Sequence, residues 1–205
     1  MVICEWIQRI TLIFWRPYKL KKIQFSAGFL LLCSWLLYGA RSGIVLQGFA
    51  SCLLHELGHL LALRRFNIGV TEIRVSCFGA KIKLARTPSY LQELFVAAAG
   101  PAVNLLLACF FCSTSFGTVF AGINLSLAVF NLLPISQLDG ARILRCAANL
   151  LLCQRRADQL SSILSALTGI VFLFFGLYAA FVWQNVTLLL MCIWVLKTTS
   201  MEKYF

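Results

Sequence analysis

Long apolar stretches, separated by short segments rich in lysine and arginine, make up most of this chain of 205 residues. An α-helix needs about 20 predominantly apolar residues to cross the roughly 30 Å hydrocarbon core of a bilayer, where its backbone groups are hydrogen-bonded internally. The pattern therefore predicts an all-α polytopic membrane protein with about six transmembrane helices. The predicted spans cover residues 23–40, 45–64, 91–112, 117–136, 160–182 and 185–197.

The connections between these spans differ in charge. Basic residues cluster in the N-terminal segment, in the connections 64–90 and 141–156 and at the C-terminus, whereas the alternate connections contain only Arg41. Cytoplasmic loops of membrane proteins carry the excess of lysine and arginine. We therefore expect a multi-pass protein with both termini in the cytoplasm.

Two segments outside the spans have patterns of their own. Residues 1–22 place apolar side chains at helical spacing and end in a basic cluster, which predicts an interfacial amphipathic segment before a single six-span domain at 23–205. Between spans two and three, "VTEIRVSCFGAKIKLAR" alternates apolar and polar residues around Phe78-Gly79-Ala80. This alternation predicts a small β-hairpin at the cytoplasmic interface, with an ordinary connecting loop as the alternative.

Composition limits the classes of function. The chain is 60% hydrophobic and only 12% charged, which excludes an average soluble domain. Its net charge of +11 comes from residues that orient a membrane protein, so the lipid bilayer is the expected partner and direct nucleic-acid binding is not expected. The nine cysteines lie mostly in apolar stretches without regular spacing and are interpreted as small buried hydrophobes.

The stretch "LLHELGHLLALRR" places three ionisable side chains inside the second predicted span. His55 and His59, the only histidines of the chain, share one helix face and can bind one Zn²⁺ ion through their imidazole nitrogens. Glu56 then lies beside the open position of the metal, where it can take a proton from bound water. A carboxylate inside a span costs about 2.5–3.5 kcal/mol unless something compensates it, which favours a metal over a pair of core histidines.

A third ligand has to come from elsewhere, because a catalytic zinc ion usually has three protein ligands and a water. The candidates are a cysteine or a carboxylate. Asp139 lies at the cytoplasmic end of the fourth predicted span. The other acidic residues outside the motif lie in terminal or basic cytoplasmic regions: Glu5, Glu72, Glu93, Asp158 and Glu202. The predicted topology puts Asp139 at a depth similar to that of His59. Pro134 is expected to bend or break the preceding helix, and Gly140 allows a sharp turn. A solvated helix end is the alternative interpretation of Asp139.

Four stretches carry a family resemblance: "HELGH", "CFGAKIKL", "ELFVAAAGPAVN" and "NLLPISQLDGARIL". Together they cover a core of about residues 45–145 and resemble the site-two protease class of intramembrane zinc metalloproteases, and within it the branch of stage IV sporulation protein FB. The short 65–90 connection, without an inserted PDZ-type domain, favours this branch. Ala80 and Ala141 stand where the family commonly has glycine, and the C-terminal CBS domain of the branch is not expected after the last span.

The resemblance implies a function and a set of site residues. The implied function is hydrolysis of a peptide bond in a membrane-associated protein near the cytoplasmic face. Glu56 would activate the water, and Asn131 and Pro134 would line the substrate path. The implied ligands of the single zinc ion are His55, His59 and Asp139.

The resemblance also implies a biological setting. Members of this branch release a membrane-tethered sigma-factor precursor in the mother cell of a sporulating bacterium, and an inhibitory membrane complex restrains them. We therefore expect a pro-sigma factor as substrate, regulatory membrane proteins as partners, and a location in the bacterial cell membrane or the membrane around the forespore.

Gly100, Pro101 and Asn104 match a family motif interpreted as packing helices.

Two other classes of function remain open at this point. A membrane metal-ion transporter can use the same ligands for transit, but it needs further polar residues along the spans, which offer little beyond serine, threonine and asparagine. A non-catalytic metal-binding scaffold would not require Glu56 beside an intact set of ligands.

Overall fold

The computed structural model describes residues 22–25, 43–76, 79–113, 117–136 and 138–182, together with the single positions 184 and 193. Within these residues the chain forms five helices and three short strands. In chain order they are β1 (Lys22–Phe25), α1 (Gly43–Arg65), β2 (Val70–Ser76), β3 (Gly79–Leu84), α2 (Tyr90–Phe111), α3 (Thr118–Asn131), α4 (Asp139–Leu151) and α5 (Gln154–Val182).

Three of the described helices, α1, α2 and α5, are long and apolar enough to cross a membrane. Helix α3 is apolar but has only 14 residues, or about 21 Å at 1.5 Å per residue. These four helices correspond to the second to fifth predicted spans. The rest of the first predicted span, after Phe25, lies outside the described residues. So does the last predicted span, except for position 193. The number of six spans therefore stays a prediction.

The β-hairpin prediction is confirmed for the described residues. Strands β2 and β3 pair antiparallel, with Ile73 opposite Ile82 and an irregularity between Val70 and Glu72. Phe78, part of the predicted turn, lies outside the described residues. The hairpin joins α1 to α2 and lies next to the basic end of α1.

The predicted start of the first span is wrong. Residues 23–25 were expected to be helical, but they belong to strand β1, which pairs in parallel with β2 and gives the sheet the order β1-β2-β3. Lys22 lies opposite Glu72 and Phe25 opposite Val75. A short apolar stretch fits a strand as well as a helix, and pairing with a distant strand leaves no local periodicity to detect.

A small apolar core fixes the sheet against the helices. Leu63 at the end of α1, Ile68 in the connection, Val70 of β2 and Val96 of α2 are all buried and in contact. Partly buried side chains of the hairpin and of α1 pack around them. The core therefore holds the carboxyl end of α1 against the amino-terminal half of α2.

Helix α2 lies at the centre of the described bundle, in contact with α1, α3 and α4. It begins with a capping box, in which the Ser89 hydroxyl accepts from the Gln92 amide and the Gln92 side chain accepts from the Ser89 amide. A Cβ atom at Gly58 of α1 would lie only 2.8 Å from the Ala99 carbonyl oxygen of α2. Glycine at this position thus permits the close approach of the two helices.

The chain breaks between α3 and α4. Helix α3 ends at Asn131 rather than at residue 136, because Pro134 has no N–H group to continue the helix and short turns replace it. The Ser136 amide then donates to the Ser165 hydroxyl of α5 at 3.0 Å. A Cβ at Gly140 would overlap the Leu132 carbonyl oxygen, so glycine lets α4 begin against the end of α3. This break places Asp139 at the first turn of α4.

Candidate metal centre

Helix α1 presents both histidines toward α2. His55 and His59 are buried, and their rings meet edge to face with centroids 4.8 Å apart. Their Nε2 atoms lie 3.2 Å from each other. The two ring nitrogens therefore face the same point in space, as the spacing on one helix face predicts.

Asp139 completes the group from the other side. Its Oδ2 atom lies 3.1 Å from the Nε2 atom of His55 and 3.1 Å from that of His59. Histidine, cysteine, aspartate and glutamate side chains are the usual metal ligands. Among the described residues, these three are the ones that lie close enough together to hold a metal ion. The structure thus brings together the three predicted ligands and places none of the described cysteines with them.

The spacing of these three atoms fits a zinc ion. Two ligands at about 2.0–2.1 Å from a tetrahedral zinc lie roughly 3.3 Å apart, close to the 3.1–3.2 Å between the three ligand atoms. The side chains of the three residues are only 6–8% exposed, so a cation would compensate a buried carboxylate. The trio would supply three ligands to a zinc ion and would leave its fourth position to water or substrate.

The outward nitrogen of His59 has a partner on α2. Its Nδ1–H group donates to the Val96 carbonyl oxygen at 2.7 Å. With the proton on Nδ1, the Nε2 atom keeps its lone pair for a metal. A backbone carbonyl has no signature in the sequence, so this contact was not predicted.

The second oxygen of Asp139 is held by Arg142. The Arg142 Nη1 atom donates to Oδ1 at 3.1 Å, while Nε and Nη2 donate to the Glu93 carboxylate of α2 at 3.0 and 2.7 Å. Burial of Asp139 opposes its ionisation. Hydrogen bonds to His55 and His59 and the charge of Arg142 nevertheless hold its pKa well below the ordinary value. These contacts favour the ionised carboxylate, which is the form that binds a cation.

Glu56 lies beside the trio. It follows His55 on α1, is partly buried, and interacts electrostatically with His55, His59 and Asp139. It is not part of the group that can hold the ion. This position is compatible with the predicted role of a proton acceptor next to the open coordination site.

Asn131 and Pro134 were predicted to line the substrate path. Asn131 is the last residue of α3, and Pro134 lies in the break between α3 and α4. Both are partly buried, and the Asn131 amide donates to the Leu127 carbonyl oxygen of its own helix at 3.0 Å. The chain leads from these residues directly to Asp139. Their role in substrate binding stays a prediction.

Two residues of the predicted packing motif contact the histidines. A Cβ at Gly100 would overlap Nε2 of His59, and the Asn104 Nδ2 atom lies 3.3 Å from Nδ1 of His55. Together with Glu93 and Val96 they are spaced three or four residues apart, on one face of α2. That periodicity, read with a polar Asn104 in an apolar helix, is the signal that could have assigned them to the site.

Comparisons of the sequence with known proteins agree on one protein family. A sequence model of Peptidase family M50 matches residues 44–122 and 111–176. The protein sll0528 of Synechocystis sp. is 38% identical over 111 residues, covering 47% of this chain and 29% of its own length. Rip3 of Mycobacterium tuberculosis is 35% identical over 133 residues, covering 54% of this chain and 31% of its own. Both are assigned as zinc metalloproteases.

Two comparisons extend to an archaeon, Methanocaldococcus jannaschii. Its zinc metalloprotease MJ0392 is 26% identical over 158 residues, which is 72% of this chain and 45% of that protein. The solved structure of the site-2 protease from the same organism matches with a TM-score of 0.65 and 22% identity, over 89% of this chain and 91% of that one. The structural match shows a shared fold. This chain spans less than half the length of the three sequence relatives.

Proposed function

Because the chain belongs to Peptidase family M50, we propose that it is an intramembrane zinc metalloprotease that cuts a membrane-associated protein near the cytoplasmic face. The observation that carries this proposal is the buried trio of His55, His59 and Asp139 beside Glu56. Two of these ligands and Glu56 lie on a helix long and apolar enough to cross a membrane.

The donor set suits zinc. Two imidazole nitrogens and one carboxylate oxygen, with one position open, are typical of catalytic zinc sites in hydrolases. Nε2 of His55, Nε2 of His59 and Oδ2 of Asp139 would hold the ion. When bound there, zinc polarises a carbonyl group and lowers the pKa of water toward about 7.

Glu56 is the proposed general base and acid. Its carboxylate takes the proton of the attacking water and then gives it to the nitrogen of the leaving amine. The partial burial of Glu56 limits competing bulk water, while its position next to His55 keeps it close to the reacting atoms. Replacement by glutamine keeps the size and hydrogen-bonding shape but removes the proton acceptor.

The break between α3 and α4 is the proposed binding place of the substrate backbone. An α-helical substrate hides its amides in its own hydrogen bonds, so the segment to be cut must be extended. Asn131 ends α3, and Pro134 lies in the short turns that lead from α3 to Asp139, where the chain is not helical. This arrangement supports their predicted role.

The depth of the site supports cleavage near the cytoplasmic face. Arg64 and Arg65 form the last turn of α1, a little more than one turn beyond His59, and basic residues mark the cytoplasmic side. We propose both termini in the cytoplasm of a bacterial cell. We further propose a pro-sigma factor as the substrate and membrane-bound regulators as partners, in a cell or forespore-surrounding membrane.

Co-expression in a non-sporulating bacterial host tests the proposal. The chain or its Glu56→Gln variant is produced with a tagged pro-sigma factor, and the size of the precursor is followed on a gel. Shortening with the native chain alone supports both the substrate and the role of Glu56. Shortening with the variant as well contradicts that role. If the native chain cleaves another membrane protein but leaves the precursor unshortened, the pro-sigma factor is not the substrate.

A further inference from the structure

Asn104 is a buried amide in the middle of helix α2. Its side chain is fully buried, and its Nδ2 atom lies 3.3 Å from Nδ1 of His55. Its Oδ1 atom is also buried and, among the described residues, has no hydrogen-bond partner. A buried acceptor without a donor is costly, so its place calls for a physical explanation.

The chemistry of His55 supplies one. The Nε2 atom of His55 faces His59 and Asp139 and is the ring nitrogen available to a metal. A neutral imidazole that binds a metal through Nε2 carries its proton on Nδ1. Nδ1 is then a donor and needs an acceptor. A half-turn of the Asn104 amide exchanges its two polar atoms and brings the unpaired oxygen to Nδ1.

We propose that Asn104 is a positioning residue whose amide oxygen accepts the Nδ1–H bond of His55 and thereby holds that ring ready to bind zinc through Nε2. This inference rests on the metal site of the proposed function, but not on proteolysis itself. Outer partners of metal-binding histidines fix the ring and its tautomer, and their loss typically weakens metal binding by roughly 10- to 100-fold.

The other two ligands support this role because α2 holds them as well. The Val96 carbonyl oxygen accepts from His59, and Glu93 binds Arg142, which in turn binds Asp139. With Asn104 on His55, one face of α2 provides an outer partner for every ligand of the trio. Asn104 then has a role in the metal site in addition to packing α1 against α2.

The chain offers a matched control in Asn124. It is also fully buried, lies in the neighbouring helix α3, and has an Oδ1 atom without a partner among the described residues. Its Nδ2 atom donates to the Ser51 hydroxyl and to the Phe120 carbonyl oxygen, both at 2.9 Å, and it belongs to no metal-holding group. Replacing it tests the loss of a buried amide and its hydrogen bonds outside the metal site.

The experiment compares Asn104→Leu, Asn104→Asp and Asn124→Leu in detergent-purified full chain. Zn²⁺ affinity is measured by chelator competition, the Co²⁺ absorption spectrum reports ligand geometry, and thermal unfolding of the chelator-treated protein reports stability. We expect Asn104→Leu to weaken Zn²⁺ binding by roughly 10- to 100-fold and to change the Co²⁺ spectrum. Asn104→Asp retains an acceptor and should bind Zn²⁺ within about threefold of native, as should Asn124→Leu.

Equal loss of Zn²⁺ affinity in the leucine and aspartate variants of Asn104 would overturn the inference, as would an unchanged affinity in Asn104→Leu. If Asn104→Leu does not fold, Asn104→Asp decides alone, because a loss of more than about tenfold contradicts an acceptor role. A native chain that binds no Zn²⁺ overturns the metal site and this inference together. If the native chain and the variants show the expected Zn²⁺ affinities but the native chain cleaves no membrane protein, only the proposed proteolysis is overturned.

Discussion

Gly100→Ala is expected to damage the metal centre although it adds a single methyl group. In the structure, a Cβ at this position would overlap Nε2 of His59 and lie 2.8 Å from Cε1 of His55. Carbon atoms in contact settle about 3.5–4.0 Å apart, so the His55 ring has to move by roughly 1 Å. Metal–ligand distances tolerate about 0.2 Å. The methyl group therefore opposes the metal-binding arrangement of the rings.

The size of the effect follows from the packing. Forcing an extra methylene into a well-packed interior costs about 1–3 kcal/mol. If the metal-binding arrangement carries this strain and the relaxed arrangement does not, Zn²⁺ binding weakens by roughly 5- to 150-fold, at 1.4 kcal/mol per tenfold. The methyl group meets the two histidine rings before any other side chain. The substitution should therefore lower Zn²⁺ affinity clearly while changing the unfolding temperature little.

Gly122→Ala is the matched control for this change. Gly122 lies inside α3, and a Cβ there meets no atom within 4 Å. Alanine at such a position should leave Zn²⁺ affinity unchanged and stabilise the helix by about 0.5–1 kcal/mol. Chelator competition and thermal unfolding on both purified variants measure the difference. Native Zn²⁺ affinity in Gly100→Ala would refute the placement of the histidine rings against α2.

Three further predictions concern the ligand trio and the substrate. Arg142→Gln removes the link between Asp139 and Glu93 and should weaken Zn²⁺ binding by roughly tenfold in chelator competition, whereas Arg145→Gln, whose partner Asp158 is exposed and 3.9 Å away, should not. Equal effects would contradict the outer role of Arg142. Incubation with 1,10-phenanthroline should abolish cleavage, and added Zn²⁺ should restore it; activity that survives complete metal removal contradicts a zinc enzyme. Glycine or proline placed near the scissile bond should raise the initial rate of cleavage on gels, and unchanged rates across such substrates would contradict the need for an extended backbone.

The sequence predicted the helices that carry the site because their signals are local. The apolar stretches at 45–64 and 91–112 correspond closely to α1 (Gly43–Arg65) and α2 (Tyr90–Phe111). The spacing of His55 and His59 predicted a shared helix face, and the distribution of the few acidic residues pointed to Asp139. The structure places the three side chains together, while their roles remain to be measured.

The parts that the sequence did not predict depend on contacts between distant segments. Strand β1 forms by pairing with β2, and a four-residue apolar stretch carries no information about that partner. Pro134 indicated the helix break, but the contact of the Ser136 amide with the Ser165 hydroxyl of α5 after that break has no local signal in the sequence. Asn104 was interpreted as packing helices, because a single polar residue in an apolar helix does not reveal which side chain it meets.

The most direct test of the account is the metal content and activity of the purified chain measured together. Native, Glu56→Gln and Asp139→Ala proteins are loaded with Zn²⁺ in detergent, analysed by mass spectrometry for bound metal, and incubated with a membrane-spanning substrate. We expect one tightly bound zinc per chain and cleavage for the native protein, one zinc without cleavage for Glu56→Gln, and neither for Asp139→Ala. Cleavage by Glu56→Gln, or undiminished zinc in Asp139→Ala, would contradict the account.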